Sequence, residues 1–458
     1  MTGRLSVVDE IFLRTHRGLG TPIALQGLWR TADRVDPELL WRVHTALRGG
    51  PLGRRVIRAR VPGARRSWRP NSRAYPLALT EGAIAHEDLL TWADQQGADL
   101  DPEYGPGWRL AAAALDDGGS IVSLTCSHAL ADGRALVLAV DEALGGTSST
   151  ASTARSADSI AKSTAPEPDH PSIAPTAGSA RVRSSAREAM ATTNAEVRAP
   201  ESDWSDAWRQ WSIVVRGTFR ALRRGIPERP ARAVSVREHT LREAVPTHSV
   251  IVQCSAADWE SAAAAQGGTA NSLFIALIAK MLWASGFPGK TIDASLPIDT
   301  REEPRVDNDL AMTEISIDRG DTAATIREKS RIAYERRMSS PGGMPEELLQ
   351  VIPDRWAYAL SKGAGERDIL CSNIGTLPDS LRTLGPHRCT GVAARAIHPG
   401  LTADHLPRTR LSGYLCRIAD TYTLAIVSLD PDRLATPETL RTLLHKTTTA
   451  LCLPITMW

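Results

Sequence analysis

The feature that most constrains this chain of 458 residues is an interruption. From Gly145 to Asp203 it is rich in Ser, Thr, Ala and Pro and contains no Phe, Trp or Tyr. Such a composition cannot bury enough apolar surface to offset its ordering entropy. Residues 146–202 are therefore read as a disordered linker that closes off an N-terminal lobe (1–145). The linker gives way to a basic amphipathic helix at 203–225 and then to a C-terminal lobe at 226–458. A length about three times the commonest domain size agrees with two lobes. In the 203–225 segment, Trp204, Trp208, Trp211, Val215, Phe219 and Leu222 recur at steps of three and four, which is one helical face. Arg209, Arg216, Arg220, Arg223 and Arg224 outnumber Asp203 and Asp206. Two placements are open for that face: a membrane interface, or the protein's own body.

Both lobes mix helical and strand patterns. DPELLWRVHTALRG has helical periodicity and opens at Asp36 as N-cap, with Pro37 in its first turn. RLAAAAL and IVSLTCSH read as strands around a tight turn at Asp116, Asp117, Gly118 and Gly119. In the second of these, Val122, Leu124, Cys126 and His128 share a face, so His128 ends a strand on its more apolar side. Asp132 stands at the N-cap of a helix whose stripe is Leu136, Val137, Val140 and Leu144. After the linker come a strand (SVIVQCS), a buried helix (NSLFIALIAKMLWASG), two strands (TIDASLPID and MTEISI) and a helix (DTAATIREKSRIAYERRM). The strands DILCSNIG, GVAARAIH, LSGYLCRIA and YTLAIVSLD come next, and a last helix starts at Thr436. The expected fold class is α+β.

Several function classes drop out on charge and hydropathy. With 54 Lys+Arg against 52 Asp+Glu, the net charge of +2 gives no footprint for nucleic acid. The longest apolar segment, SLFIALIAKMLWASGF, is broken by Lys280 and falls short of the roughly 20 residues of a membrane span. Asp9 and Glu10 interrupt the only place for a signal peptide's apolar region, so a cytoplasmic location is expected. The 6 cysteines show no zinc-ligand spacing, so no metal is expected, and they read as reduced core thiols.

One constellation carries chemistry: SHALADG, residues 127 to 133. An H-x-x-x-D match is weak by itself in a chain with 11 histidines. Gly133 directly after Asp132, and a histidine closing a strand before a helix N-cap, make it selective. GPGWRLAAAALDDGGSIVSLTCSHALADG resembles the core of the chloramphenicol acetyltransferase-like superfamily. That superfamily includes condensation domains, polyketide-associated acyltransferases and bacterial wax ester synthase/diacylglycerol acyltransferases. RLSVVDEIFLRTHRGLGTPIALQGLW, GGTANSLFIALIAKML, LPIDTREE, Asn308 in DNDLAM and LCSNIGTLP are similar to wax ester synthase segments. Ser127 stands where those enzymes usually carry a first histidine of a pair, and Ser272 where they carry Asp. The resemblance implies two chloramphenicol acetyltransferase-like lobes forming a cleft.

A thioester carbonyl is already reactive, so such a site needs a deprotonated acceptor, orientation and oxyanion stabilisation, without a covalent nucleophile. His128 is the expected general base and Asp132 the group that orients it. The resemblance implies that Asp132 pairs with an arginine on another segment, for which Arg301 is the candidate. Gly133 would let backbone approach the reacting centre, and Ser372 and Asn373 would line the channel from the second lobe. The basic stretch from Arg54 to Arg69 reads either as a solvated face or as a contact for coenzyme A phosphates or an acidic carrier protein. The expected activity is acyl transfer from acyl-CoA, as co-substrate rather than cofactor, to a hydroxyl, giving lipid or wax-type esters. Ester or amide formation from a carrier-protein thioester, and a non-catalytic condensation-like module, are the alternatives. The expected partners are an acyl thioester, an alcohol or amine acceptor, and peripheral contact with a carrier protein or the inner face of a membrane.

Overall fold

The computed structural model describes residues 3–145, 202–224, 244–335, 348–361 and 366–458. Apart from Ser202, the linker expected at 146–202 lies outside the described residues, as do 225–243 and the last three residues of the helix expected through Met338. In chain order the strands are β1 (Ala24–Thr31), β2 (Arg54–Ile57), β3 (Ser67–Pro70), β4 (Ala78–Ile84), β5 (Trp108–Leu115), β6 (Ser120–Ser127), β7 (His248–Ser255), β8 (Thr291–Asp299), β9 (Leu310–Asp318), β10 (Ile369–Thr376), β11 (Thr383–Leu384), β12 (His387–Ile397), β13 (Leu411–Ile418), β14 (Thr421–Ser428) and β15 (Thr456–Met457). The helices are α1 (Val7–His16), α2 (Pro37–Gly49), α3 (Leu89–Gln95), α4 (133–145), α5 (Asp203–Arg224), α6 (Ala256–Ala265), α7 (Ala270–Ala284), α8 (Ala323–Glu335), α9 (Leu348–Val351), α10 (Asp354–Ser361) and α11 (Pro437–Ala450).

Two sheets make two lobes. The first has the order β11-β12-β1-β6-β5-β4 and the second β15-β7-β14-β13-β10-β8-β9, with β2 and β3 as a separate hairpin. Although β11 and β12 come after the second sheet's early strands in sequence, they complete the first sheet by pairing β12 antiparallel to β1. Local chemistry sets the helix starts. Asp36 accepts from the Glu38 amide ahead of Pro37, and Ser6 with Asp9 forms a capping box on α1. Thr269 and Ser272 do the same for α7, which is buried from Ser272 to Ala279 and anchors the second core with Phe274, Ile275 and Ile278. Each such side chain withdrawn from water contributes roughly 1.5–3 kcal/mol.

β6 is buried on both faces. Val122, Leu124 and Cys126 enter the first core. On the other face Ser123 and Thr125 each lie 3.0 Å from Gln26 Nε2, and Gln26 Oε1 accepts from Arg395 Nε at 2.9 Å. Arg395 also donates to Asp94 at 2.6 Å and to Ser249 of the second sheet, a buried polar spine that ties the lobes. Four cysteines are buried, Cys389 is partly buried and Cys452 exposed, all as free thiols. Among the described residues no single helix is long and apolar enough to cross a membrane.

Two regions that the sequence leaves open take a definite form. Of the expected apolar stripe of α5, Trp204, Trp208 and Val215 are exposed and Trp211 is half exposed against Gly63, while Asp206, Ala207, Gln210 and Val214 are buried; the side chains of Phe219 and Leu222 lie outside the described residues. Asp206 takes Arg65 through both carboxylate oxygens and Asp203 takes Arg4 and the Arg60 amide, and the periodicity of apolar residues carries no information about that. The basic stretch from Arg54 to Arg69 is not simply a solvated face either. Arg54 pairs with Asp307, Arg58 with Glu103, Arg65 with Asp206, and Arg66 with Glu10 and Asp354, so most of its charge is neutralised inside the molecule.

Candidate active site

The motif occupies the seam between the sheets. β6 ends at Ser127, whose carbonyl accepts from the Leu130 amide at 2.9 Å, so His128 begins a tight turn at the strand's end. Phe12 of α1 stacks on the His128 ring, centroids 3.5 Å apart and planes within 11°. The turn is fastened from the other lobe. Asn308, in the loop between β8 and β9, donates Nδ2 to the carbonyls of His128 (2.8 Å) and Ala129 (3.2 Å) and to Asp9 Oδ1 (2.9 Å). Arg54 donates to the Leu130 carbonyl at 2.6 Å and to Asp307 at 2.7 Å.

Asp132 is 4% exposed and its acceptor capacity is occupied. Oδ1 takes the Ala135 amide at 2.9 Å, the expected N-cap of α4. Oδ2 takes Arg301 Nη2 at 2.6 Å and the Asp309 amide at 3.0 Å. Arg301 continues to Asp299 at 2.7 Å and to the carbonyls of Arg305 and Asp307. Burial works against the Arg301 charge, but the hydrogen bonds to Asp132 and Asp299 outweigh it and raise its pKa. The structure thus brings His128, Asp132 and Arg301 together at one turn.

Burial also pushes the His128 pKa below the ordinary imidazole value. Its own carbonyl, the Asp132 charge and the Asn308 amide push back only in part. Nδ1 is buried and has no hydrogen-bond partner. At neutral pH the ring is an uncharged base.

Gly133 sits where the lobes touch: a Cβ there would lie 2.7 Å from Ile374 Cδ1 of β10, so a side chain would make the end of Ile374 shift. Arg134 Nη1 donates to the Thr376 carbonyl at 3.2 Å across the same seam. Ser372 is partly buried and Asn373 exposed on β10, and neither bonds to His128 or Asp132. Asn373 instead donates to Asn271, which donates to the Tyr334 hydroxyl, each at 3.0 Å. Asn373 belongs to that chain at the start of α7.

A second imidazole, which sequence reasoning missed, lies beside the first. Ala24 of β1 is in register with Ser127 of β6 and with Ile397 of β12, so His128 and His398 each come directly after the end of a strand at the same sheet edge. His398 donates Nδ1–H to the Pro22 carbonyl at 2.8 Å, and its Nε2 is buried without a partner. Burial, with a smaller contribution from His128, pushes its pKa down to about 4. A cavity of about 330 Å³ flanks both histidines in sequence, with Ser127, Ile23, Gly97, Leu100 and Pro399 in its wall. A lone His before Pro399 and Gly400 reads as a turn, and only the strand register carries the signal. Among the described residues there is no group of three or more His, Cys, Asp or Glu that could hold a metal.

No protein-family model matches the sequence, and neither does any curated protein. Solved structures match the whole fold. The first condensation domain of the CDA synthetase aligns over 98% of this chain and 94% of its own, at 14% identity and a TM-score of 0.57. The condensation domain of the monacolin K polyketide synthase aligns over 98% and 96%, at 11% identity and a TM-score of 0.54. Polyketide synthase associated protein 5 from Mycobacterium tuberculosis aligns over 96% of both chains, at 15% identity and a TM-score of 0.51. The chain therefore has the two-lobed chloramphenicol acetyltransferase-like fold of condensation domains, with His128, Asp132 and Arg301 at the seam of its lobes.

Proposed function

We propose that the chain is an acyltransferase that moves an acyl group from a thioester, acyl-CoA, to a hydroxyl acceptor. The observation that carries this reading is an uncharged, stacked His128 whose neighbouring carboxylate is wholly engaged by Arg301 and backbone amides. Such an imidazole is free to move a proton and is not drawn into a salt bridge of its own. In the reaction His128 Nε2 takes the acceptor's O–H proton as the oxygen attacks the thioester carbonyl. A tetrahedral oxyanion forms, the C–S bond breaks, and the departing thiolate receives the proton from His128. No acyl-enzyme is needed. Asp132 and Arg301 act as positioning residues for the turn that carries His128, and Gly133 permits the close lobe contact beside it. Ser372 and Asn373 are assigned to the outer channel, through the Asn373–Asn271–Tyr334 chain. The acceptor's chain or ring would lie against the cavity edged by Ser127 and Pro399, and lipid or wax-type esters are the products favoured by the sequence resemblance.

A second reading, transfer from a carrier-protein thioester, is supported by the condensation domains that match nearly the full chain. Thiol release by the purified chain separates the two. Acyl-CoA of graded chain length with a long-chain alcohol should give acceptor-dependent thiol, and His128→Ala should lower turnover at least ~10²-fold without unfolding. Release only from an acyl-phosphopantetheinyl carrier would favour the second reading. No release from either donor, or a folded His128→Ala variant as fast as wild type, would remove the catalytic assignment.

A further inference from the structure

We propose that α5 is a membrane-contact helix that seats the protein on anionic lipid bilayers. The helix is held from one side by its acids. Asp206 is fully buried and takes the Arg65 amide and guanidinium, while Asp203 takes the Arg60 amide at 2.8 Å and Arg4 at 2.7 Å. Buried Ala207, Gln210 and Val214 complete the docked face. What is left outside is the apolar stripe: Trp204 is 75% exposed, Trp208 80%, Trp211 48% and Val215 62%.

These residues stand at i, i+4, i+7 and i+11, one above another on a single face. The other exposed large hydrophobics among the described residues, such as Trp41, Leu79, Tyr104 and Trp356, are scattered over different elements. Isolated exposed apolar residues need no explanation, but a contiguous row of indoles does.

Charge chooses the occupant. With both aspartates turned toward Arg4, Arg60 and Arg65, the outward charges of residues 203–216 are Arg209 and Arg216, both exposed and about a quarter-turn round from the stripe. A Trp row edged by arginines matches the headgroup boundary of an anionic leaflet, where indole rings bury their apolar bodies and keep their N–H groups in polar surroundings. A second copy fits poorly. Pairing two such faces would bring like charges together, and the stripe offers roughly 500 Å² against the ~800 Å² per partner of a stable interface. A convex helix face also gives no groove for a peptide. The proposal is independent of which thioester or acceptor the site uses.

Co-sedimentation of the full chain with phosphatidylcholine vesicles, with and without phosphatidylglycerol, tests it. Binding should require the anionic lipid and fall as salt rises. It should drop at least ten-fold in Trp204→Ala/Trp208→Ala, a variant that keeps Trp211 because that indole packs against Gly63. The thermal midpoint should not move, since both removed rings are exposed. Arg209→Gln/Arg216→Gln should weaken binding about five-fold per charge. Wild-type protein that stays in the supernatant at low salt, equal binding to both vesicle types, or a lipid-free dimer that Trp204→Ala/Trp208→Ala dissociates would each overturn the proposal. So would unfolding of that variant, because it would make the stripe part of the core.

Discussion

Two buried aspartates each clamp an arginine from another part of the chain, and they do so to opposite ends. At the lobe seam Asp132 takes Arg301, and at the foot of α5 Asp206 takes Arg65. At the seam the clamp joins elements that already belong to both lobes, and Asn308, Arg54 and Phe12 converge on the same turn. At α5 the clamp is joined by Asp203, which takes Arg4 and the Arg60 amide, and by the buried row Ala207, Gln210 and Val214, and together they hold the helix with Trp204 and Trp208 turned to solvent. The same charge-assisted contact therefore stabilises a site inside a cooperative core and fixes a peripheral platform outside it. What differs is that groups from both lobes share the work at the seam.

The largest expected effect is at the seam. Asp132→Asn keeps an oxygen for the Ala135 amide, but Arg301 loses its buried carboxylate and the Asp309 amide meets a weaker acceptor. Removing one partner of a buried pair costs about 3–5 kcal/mol. Arg301 keeps Asp299, so the lower end is expected by denaturant titration, with most of the acyl transfer lost. Arg301→Gln should cost a similar amount, and the double variant much less than the sum. Additive effects would separate the two residues and dissolve the seam side of the contrast.

That pair was legible in the sequence because the motif fixes Asp132 by spacing and the family resemblance supplied a partner on another segment. The caps at Asp36 and Thr436, and the helix and strands around the motif, were legible for local reasons, since a cap or a tight turn is decided within a few residues. The central strand β1 was not. ALQGLWRT is buried on both faces, so it shows no alternation, and the partners of its Gln26 are distant in sequence, from Ala93, Ser123 and Thr125 to Arg395, some 370 positions away. Nor does periodicity say which face of an amphipathic helix meets the protein. For α5 that was decided by Asp206 and Arg65, a pairing across the linker. His398 became visible only through the register of β12 on β1.

The next effect concerns that histidine and runs through pH. An unfolded imidazole titrates near 6.5, whereas burial holds His398 at about 4. Above pH 6.5 neither state binds the proton. Between about 6.5 and 4 only the unfolded chain does, so stability falls as pH falls, by about 1.4 kcal/mol per unit and roughly 3 kcal/mol in all. His398→Asn retains an amide donor for the Pro22 carbonyl and removes the titration. Unfolding free energies at pH 7.5 and pH 5 should converge in this variant relative to wild type, and an unchanged pH slope would show that His398 titrates normally. His128, also shifted downward, should place the acid limb of kcat/KM below the ordinary imidazole value.

The smallest effect should appear at α5, and it tests the contrast most directly. Asp206→Asn keeps one oxygen for Arg65 but replaces the other with an NH2 that cannot accept, and Arg65 is only partly buried and can turn to water, so the cost is about 1–2 kcal/mol. Asp203 keeps its own contacts with Arg4 and the Arg60 amide, so the helix stays seated and this loss should stay local. Amide exchange across residues 203–216 should quicken about ten-fold, while the global unfolding midpoint and acyl transfer stay close to wild type. Acid should loosen the same clamp. Burial alone would raise the Asp206 pKa, but the Arg65 contacts outweigh it and hold the carboxyl below its usual range. The clamp is thus complete at neutral pH and weakens as pH drops below about 4. Should Asp206→Asn instead lower global stability as much as Asp132→Asn, α5 would be an integral part of the core, and the division between a clamp within the core at the seam and one at the periphery would fail.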